Sequence, residues 1–106
     1  MKTIILMRHS KAEHGDFEIS DFDRKLTDKG KSDADIAAKT LIKKVKKIDL
    51  IVTSSAKRTL KTAKIVAENF DIDKNKIQSI NEIYEANAEA YIHVIRSLND
   101  EKVKTV

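Results

Sequence analysis

The sequence predicts an α/β domain: a parallel sheet with helices on both faces, a three-layer α/β/α sandwich. Three observations carry this. Short apolar runs rich in β-branched residues alternate with segments of helical period. The order reads β-α-β-α-β-α-β, the pattern of a parallel sheet built with right-handed crossovers. The chain has 106 residues, the size of one domain, and its 41% hydrophobic content suffices for a single core.

Thr3 to Met7 is a continuous apolar run, as expected of a strand buried on both faces. Ile48 to Thr53 reads the same way, and Ile77 to Ile80 is a weaker third strand. Lys102 to Val106 is the fourth, and the sequence ends inside it. Between the strands lie three helical patterns. Ala34, Ala37, Ala38, Leu41 and Val45 recur at three and four residues, one face of a helix. Ala56, Leu60, Ala63, Ala67 and Phe70 form a second face; Ala88, Tyr91, Ile92, Ile95 and Leu98 form a third. Thr27 is placed to cap the first helix and Ser55 the second. Ser10 to Leu26 is the longest irregular stretch, and loops of that length inside a compact domain are usually functional.

Composition removes several classes of function. There is no cysteine, so disulfides, thiolate catalysis and Cys-based zinc sites are excluded. No metal-ligand spacing occurs, and no metal or other cofactor is expected. Asp21 and Asp23 lie in mid-loop, too far past the first strand for an aspartate-based, metal-dependent phosphatase; Asp21 and Arg24 are expected to order the loop as an ion pair. The net charge of +4 favours anionic partners. No basic block interleaves with aromatic residues, which argues against nucleic acid. No apolar run reaches the roughly 18 residues of a membrane span or resembles a signal peptide, so the expected location is cytoplasmic. Lys43, Lys44, Lys46 and Lys47 suit the C-terminus of a helix.

The chemistry gathers at strand ends. The first apolar run stops at Arg8 and His9, a guanidinium next to an imidazole. In an open α/β sheet, ligands bind outside the carboxyl ends of the strands. Arginine matches phosphate oxygens in a fork, and histidine is nucleophilic near neutral pH. The second strand ends in Thr53-Ser54-Ser55-Ala56-Lys57-Arg58. With Ser55 as cap, Arg58 falls in the first turn of the next helix, where the helix dipole disfavours a cation and a functional reason is expected. Two arginines converging on one imidazole would make a pocket for a dianion, aided by free N–H groups at the helix start.

Leu6-Met7-Arg8-His9-Ser10-Lys11-Ala12 resembles the opening motif of the histidine phosphatase, or phosphoglycerate mutase-like, superfamily. The stretch from Ser20 to Ala34 is similar to the D-x-D-R-x-L-T-x-x-G-x-x-D-A block of the SixA-type phosphohistidine phosphatases. Ser54 to Ala63 resembles the S-x-x-x-R-A-x-x-T-A block, and Glu82-Ile83-Tyr84-Glu85-Ala86 the L-Y-x-A segment. The blocks stand in family order over nearly the whole chain. The resemblance implies a phosphoglycerate mutase-like fold and a metal-independent phosphatase with His9 as nucleophile. It implies Arg8 and Arg58 on the transferred phosphoryl group, and Ser10 and Lys11 as further substrate contacts. Glu82 is a candidate acid, although this branch is thought to work without one, because imidazole leaves more readily than an alkoxide. The implied partner is a phosphohistidine-bearing signalling protein, and phosphate or sulfate is expected to fit the site.

Of two departures from the family pattern, the second sets the alternatives. Ser10 stands where the family usually has glycine. The family's second histidine normally follows the fourth strand, and this sequence stops at Val106, where that turn should begin. His93 is read as a solvated helical residue and His14 as an exposed loop residue. The expectation is a single, incomplete domain over residues 1–106. Either the natural protein is longer or copies pair through the incomplete sheet. A catalytically incomplete module that binds phosphate or phosphohistidine, and a phosphatase of small phosphoesters, are the competing readings.

Overall fold

The computed structural model describes residues 2–9, 11–14, 19–98 and 101–106. Three helices form: α1 (Asp28–Lys44), α2 (Lys57–Asn69) and α3 (Ala88–Ser97). Two strands, β1 (Ile51–Thr53) and β2 (Ile77–Ser79), pair in parallel with Ile51 opposite Ile77 and Thr53 opposite Ser79. The fold is α/β, a small parallel sheet flanked by helices, as expected. None of the helices among the described residues is long and apolar enough to cross a membrane.

Each helix end has a local cause. Thr27 caps α1, its hydroxyl accepting the Gly30 N–H at 3.0 Å. The cap of α2 is Ala56 rather than Ser55, and it offers no side-chain hydrogen bond. Ser55 instead bonds Ser79 Oγ at 2.8 Å, tying the ends of β1 and β2 together. Asn87 caps α3 through the Ala90 N–H. At the other end of α2, Asp71 adopts φ 55°, the left-handed conformation that reverses the chain. The Ile72 N–H then reaches back to Ala67 C=O at 2.8 Å and the Asp71 N–H to Glu68 C=O at 3.3 Å.

The core lies between α1, α2 and the sheet. Ala34 and Ala38 of α1 are fully buried, and such small side chains allow α2 to come close. Ile65 and Val66 of α2 fill the space, with Leu26 in one cluster and Ile48 in the other. Asn69 Nδ2 stitches the two helices by donating to Asp35 Oδ1 at 2.8 Å. The third apolar face is only partly packed: Tyr91, Ile95 and Leu98 line the same cavity as Val94, and Ile92 does not. Val94 is the buried residue of α3, whereas Tyr91 and Ile92 are 41% and 47% exposed. That helix is apolar on more than one side, so periodicity alone does not fix which side packs.

The first and last segments correct the expected strands. Thr3 bridges Thr105 in parallel, and the Thr3 and Ile5 N–H groups donate to Lys104 and Val106 C=O, both at 2.7 Å. On its opposite edge Thr105 C=O accepts the Asp49 N–H at 2.9 Å. Backbone groups alternate sides along an extended chain. Residues 104–106 therefore run between the first segment and the foot of β1. The order across the sheet is third, second, fourth, first by sequence. Neither terminal segment forms a full ladder, and the run Thr3 to Met7 is not buried on both faces. Ile4 is 43%, Leu6 81% and Met7 41% exposed.

Asp49 secures the last segment. Its Oδ2 accepts the N–H groups of Lys104 and Thr105, both at 2.9 Å, and these bonds hold its carboxyl below the usual value of 3.8. The associated stabilisation is full above that value and is lost as pH falls through the lower folded value. Asp49→Ala is expected to cost about 2 kcal/mol, the scale of hydrogen bonds to a charged acceptor. It should also speed hydrogen exchange at the Thr105 amide. Asp49→Asn, which keeps an acceptor oxygen, should recover part of both; an unchanged Thr105 exchange rate in the alanine variant would contradict this role.

Candidate active site

A cavity of about 350 Å³ is walled by residues 4–7 and 50–54, by Val106 and by the apolar side of α3. Where the parallel segments end, His9, Ser54, Arg58, Tyr84 and Glu85 take over the wall. The structure thus brings His9 and Arg58 to one cavity, although 49 positions separate them in the sequence. His9 is half-buried, and Arg58 is 9% exposed.

Arg58 sits in the first turn of α2, as its spacing from β1 predicts. Its guanidinium is held by the short 3-10 turn Asp21–Asp23. Nη1 donates to the Asp21 C=O at 2.6 Å and Nη2 to Asp21 Oδ2 at 3.0 Å. Tyr84 donates its phenol O–H to the same Oδ2. Arg24 Nη1 donates to Oδ1 at 2.9 Å, the ion pair expected from the sequence. Hydrogen bonds from Tyr84, Arg24 and Arg58 bring the Asp21 carboxyl down to about 2. The same contact pushes the Tyr84 phenol up, since its ionised form would face the carboxylate. The Tyr84 ring lies 5.9 Å from the Arg58 guanidinium carbon, and Phe22 meets that ring edge-on at 5.3 Å.

The loop after His9 is anchored from both sides. Ala12 bridges Leu26, and the Glu13 N–H donates to Lys25 C=O at 2.8 Å. Arg24 Nε donates to Glu13 C=O at 2.6 Å. The Lys11 carbonyl accepts both the N–H and the hydroxyl of Thr27, at 3.0 and 3.2 Å. Gly30 makes this approach possible: a Cβ there would lie 2.1 Å from the Lys11 carbonyl oxygen.

The remaining residues singled out by sequence fall as follows. Arg8 is exposed and does not line the cavity. Ser10 lies outside the described residues, and the Lys11 side chain is exposed. Glu82 lies off the cavity wall, its carboxylate 3.1 Å from His93 Nδ1 on the exposed surface, whereas Glu85 is on the wall with φ 53°. His14 is exposed. Tyr84 and the bond between Asp21 and Arg58 were not foreseen; the one available signal was a tyrosine inside the L-Y-x-A block. The described residues contain no group of His, Asp and Glu able to hold a metal ion.

Residues 4–102 match the family model described as histidine phosphatase superfamily (branch 1). The chain belongs to that superfamily. Among solved structures, this superfamily member is similar to the putative phosphohistidine phosphatase SixA from Agrobacterium tumefaciens. The two are 33% identical with a TM-score of 0.83, over 97% of this chain and 64% of that one. The putative phosphohistidine phosphatase SixA from Nakamurella multipartitia is 26% identical with a TM-score of 0.81, over 99% of this chain and 56% of that one. A protein histidine phosphatase SixA complexed with tungstate shares the fold, at 23% identity and a TM-score of 0.82, over 97% of this chain and 65% of that one. The sequence therefore spans between 56% and 65% of the length of these three relatives. No curated protein matches it.

Proposed function

We propose that the protein is a cytoplasmic, metal-independent phosphatase that removes the phosphoryl group from phosphohistidine on a signalling protein, with His9 as nucleophile. One observation carries this reading: an imidazole and a buried, carboxylate-held guanidinium face one cavity at the carboxyl ends of parallel segments. Similarity above 25% identity to two putative phosphohistidine phosphatases of the SixA type supports the substrate class.

The chemistry is a double displacement. A neutral His9 nitrogen attacks phosphorus, a P–N bond forms, and the P–N bond to the substrate imidazole breaks. The leaving imidazole takes a proton from solvent, so no carboxylic acid is required of Glu82 or Glu85. Arg58 meets the negative charge spread over the phosphoryl oxygens in the transition state. Arg8 supplies a second cation next to the nucleophile, and Ser10 and Lys11 follow it as further substrate contacts. Water then attacks the same phosphorus and gives up its proton to solvent; the P–N bond to His9 breaks, inorganic phosphate leaves and the His9 imidazole is restored.

The test is loss of radiolabelled phosphate from a phosphohistidine-bearing phosphotransfer domain, with chelator present. The wild type should dephosphorylate the domain, and His9→Ala should leave the label in place. Equal turnover by both would defeat the proposal. The second reading, a module that binds phosphohistidine without turnover, rests on a wall that, among the described residues, sets a single arginine, Arg58, with His9. Retention of the phosphorylated domain by the wild type, without loss of label, would favour that module. Turnover of p-nitrophenyl phosphate in preference to the domain would shift the substrate to small phosphoesters.

A further inference from the structure

Arg58 already carries a carboxylate, and the way it does so leaves one edge of the guanidinium unused. Its two terminal nitrogens are engaged by Asp21, through the backbone carbonyl and Oδ2. Its Nε is buried with no hydrogen-bond partner among the described residues. A buried donor left unpaired is costly and uncommon. A guanidinium binds oxyanions equally well by its Nε edge; Arg58 lines the cavity, and an anion seated against that edge would satisfy it.

We propose that Asp21 is a positioning residue: it grips Arg58 by the terminal edge and so presents the Nε edge to a phosphoryl oxygen. The inference rests on the phosphoryl-binding reading of Arg58. Asp21 is built to hold rather than to yield. Oδ2 accepts from both Arg58 and Tyr84, and Oδ1 accepts from Arg24. Arg24 in turn grips Glu13, four residues beyond His9. One carboxylate therefore links the loop that follows the nucleophile, the start of α2 and the segment after β2. It fixes the guanidinium against the nucleophile's own loop, which is the distance that phosphoryl transfer needs held. The carboxyl's low value, about 2, keeps the link charged at neutral pH. A counter-ion also removes the conflict between Arg58 and the positive end of the α2 dipole.

Tungstate serves as the phosphoryl mimic, followed through the Nε–H resonance of Arg58 in a nitrogen-15 spectrum. In the wild type this proton should be shielded from solvent exchange and should shift on titration. Asp21→Asn keeps the size and removes the charge. It should weaken tungstate binding about tenfold or more, the loss expected when a charge-assisted hydrogen bond no longer fixes the donor, and should speed Nε–H exchange. Tyr84→Phe, which removes one donor from Oδ2 and keeps the ring, should shift both readouts in the same direction by a smaller factor. It serves in place of the asparagine variant if that one does not fold. If the wild type binds tungstate and Asp21→Asn binds equally well or more tightly, Asp21 is a bystander or a competitor and the inference is wrong. If tungstate leaves the wild-type Arg58 resonance unmoved, the phosphoryl reading of Arg58 itself fails.

Discussion

Arg58→Ala is expected to lower oxyanion affinity by about ten- to a hundredfold, the range set by one or two hydrogen bonds from a charged donor. The size follows from where the side chain lies. It is buried on the cavity wall, so water cannot replace its donors cheaply. Its removal also strips Asp21 of one of its three side-chain donors and leaves Tyr84 without the cation beneath its ring. Arg58→Lys keeps the charge and should recover little. An ammonium cannot bond the Asp21 carbonyl and Oδ2 with one end while offering a planar second edge to the ligand. Tungstate titration by calorimetry reads the difference. A lysine variant as tight as wild type would mean that charge alone, and not the fork geometry, operates at this position.

Gly30→Ala is expected to destabilise the fold by about 2 kcal/mol or more, the cost of forcing extra volume into a closed contact. Helix propensity alone predicts the opposite sign, since alanine is favoured over glycine by about 1 kcal/mol in a helix. The contact decides. The new methyl would sit 2.1 Å from a backbone oxygen, Lys11 C=O, which has no flexible end to swing away. That carbonyl holds the Thr27 N–H and hydroxyl, so relieving the clash would break the junction between α1 and the segment that follows His9. Chemical denaturation of the variant should show a lower midpoint with an unchanged slope. A midpoint equal to or above wild type would show that the loop shifts without penalty.

Much of the frame was legible because it is written in local chemistry. Thr27 three residues before Gly30, and alanines at helical spacing on α1 and α2, state where helices begin and which faces they bury. The strand segments were legible as apolar runs, but their order was not. That Thr105 lies between Thr3 and Asp49 depends on pairings 102 and 56 residues apart, which no window of sequence contains. The turn at Asp71 was missed because an aspartate takes the place where glycine would have marked the helix end. For α3, apolar residues on several sides hid Val94 as the packed one.

The site divides in the same way. His9 at the end of an apolar run and Arg58 one helical turn past another were readable, since strand ends and helix starts are local events. The partner of Arg58 was not: Asp21 is 37 positions away and approaches through a loop whose path is set by Gly30, Thr27 and Arg24. Arg8 shows the converse limit. Adjacency in sequence sets it beside His9, but it is exposed and off the wall that His9 lines, which no local pattern states.

The central claim is that His9 takes the phosphoryl group onto its own ring. The most direct measurement is rapid quenching of the protein with a radiolabelled phosphohistidine donor, followed by mass spectrometry of the peptide holding residues 8–11. Phosphate on His9, lost in acid, stable in base and absent from His9→Ala, is the predicted result. Turnover of the donor with no label ever found on His9, and undiminished in His9→Ala, would contradict it.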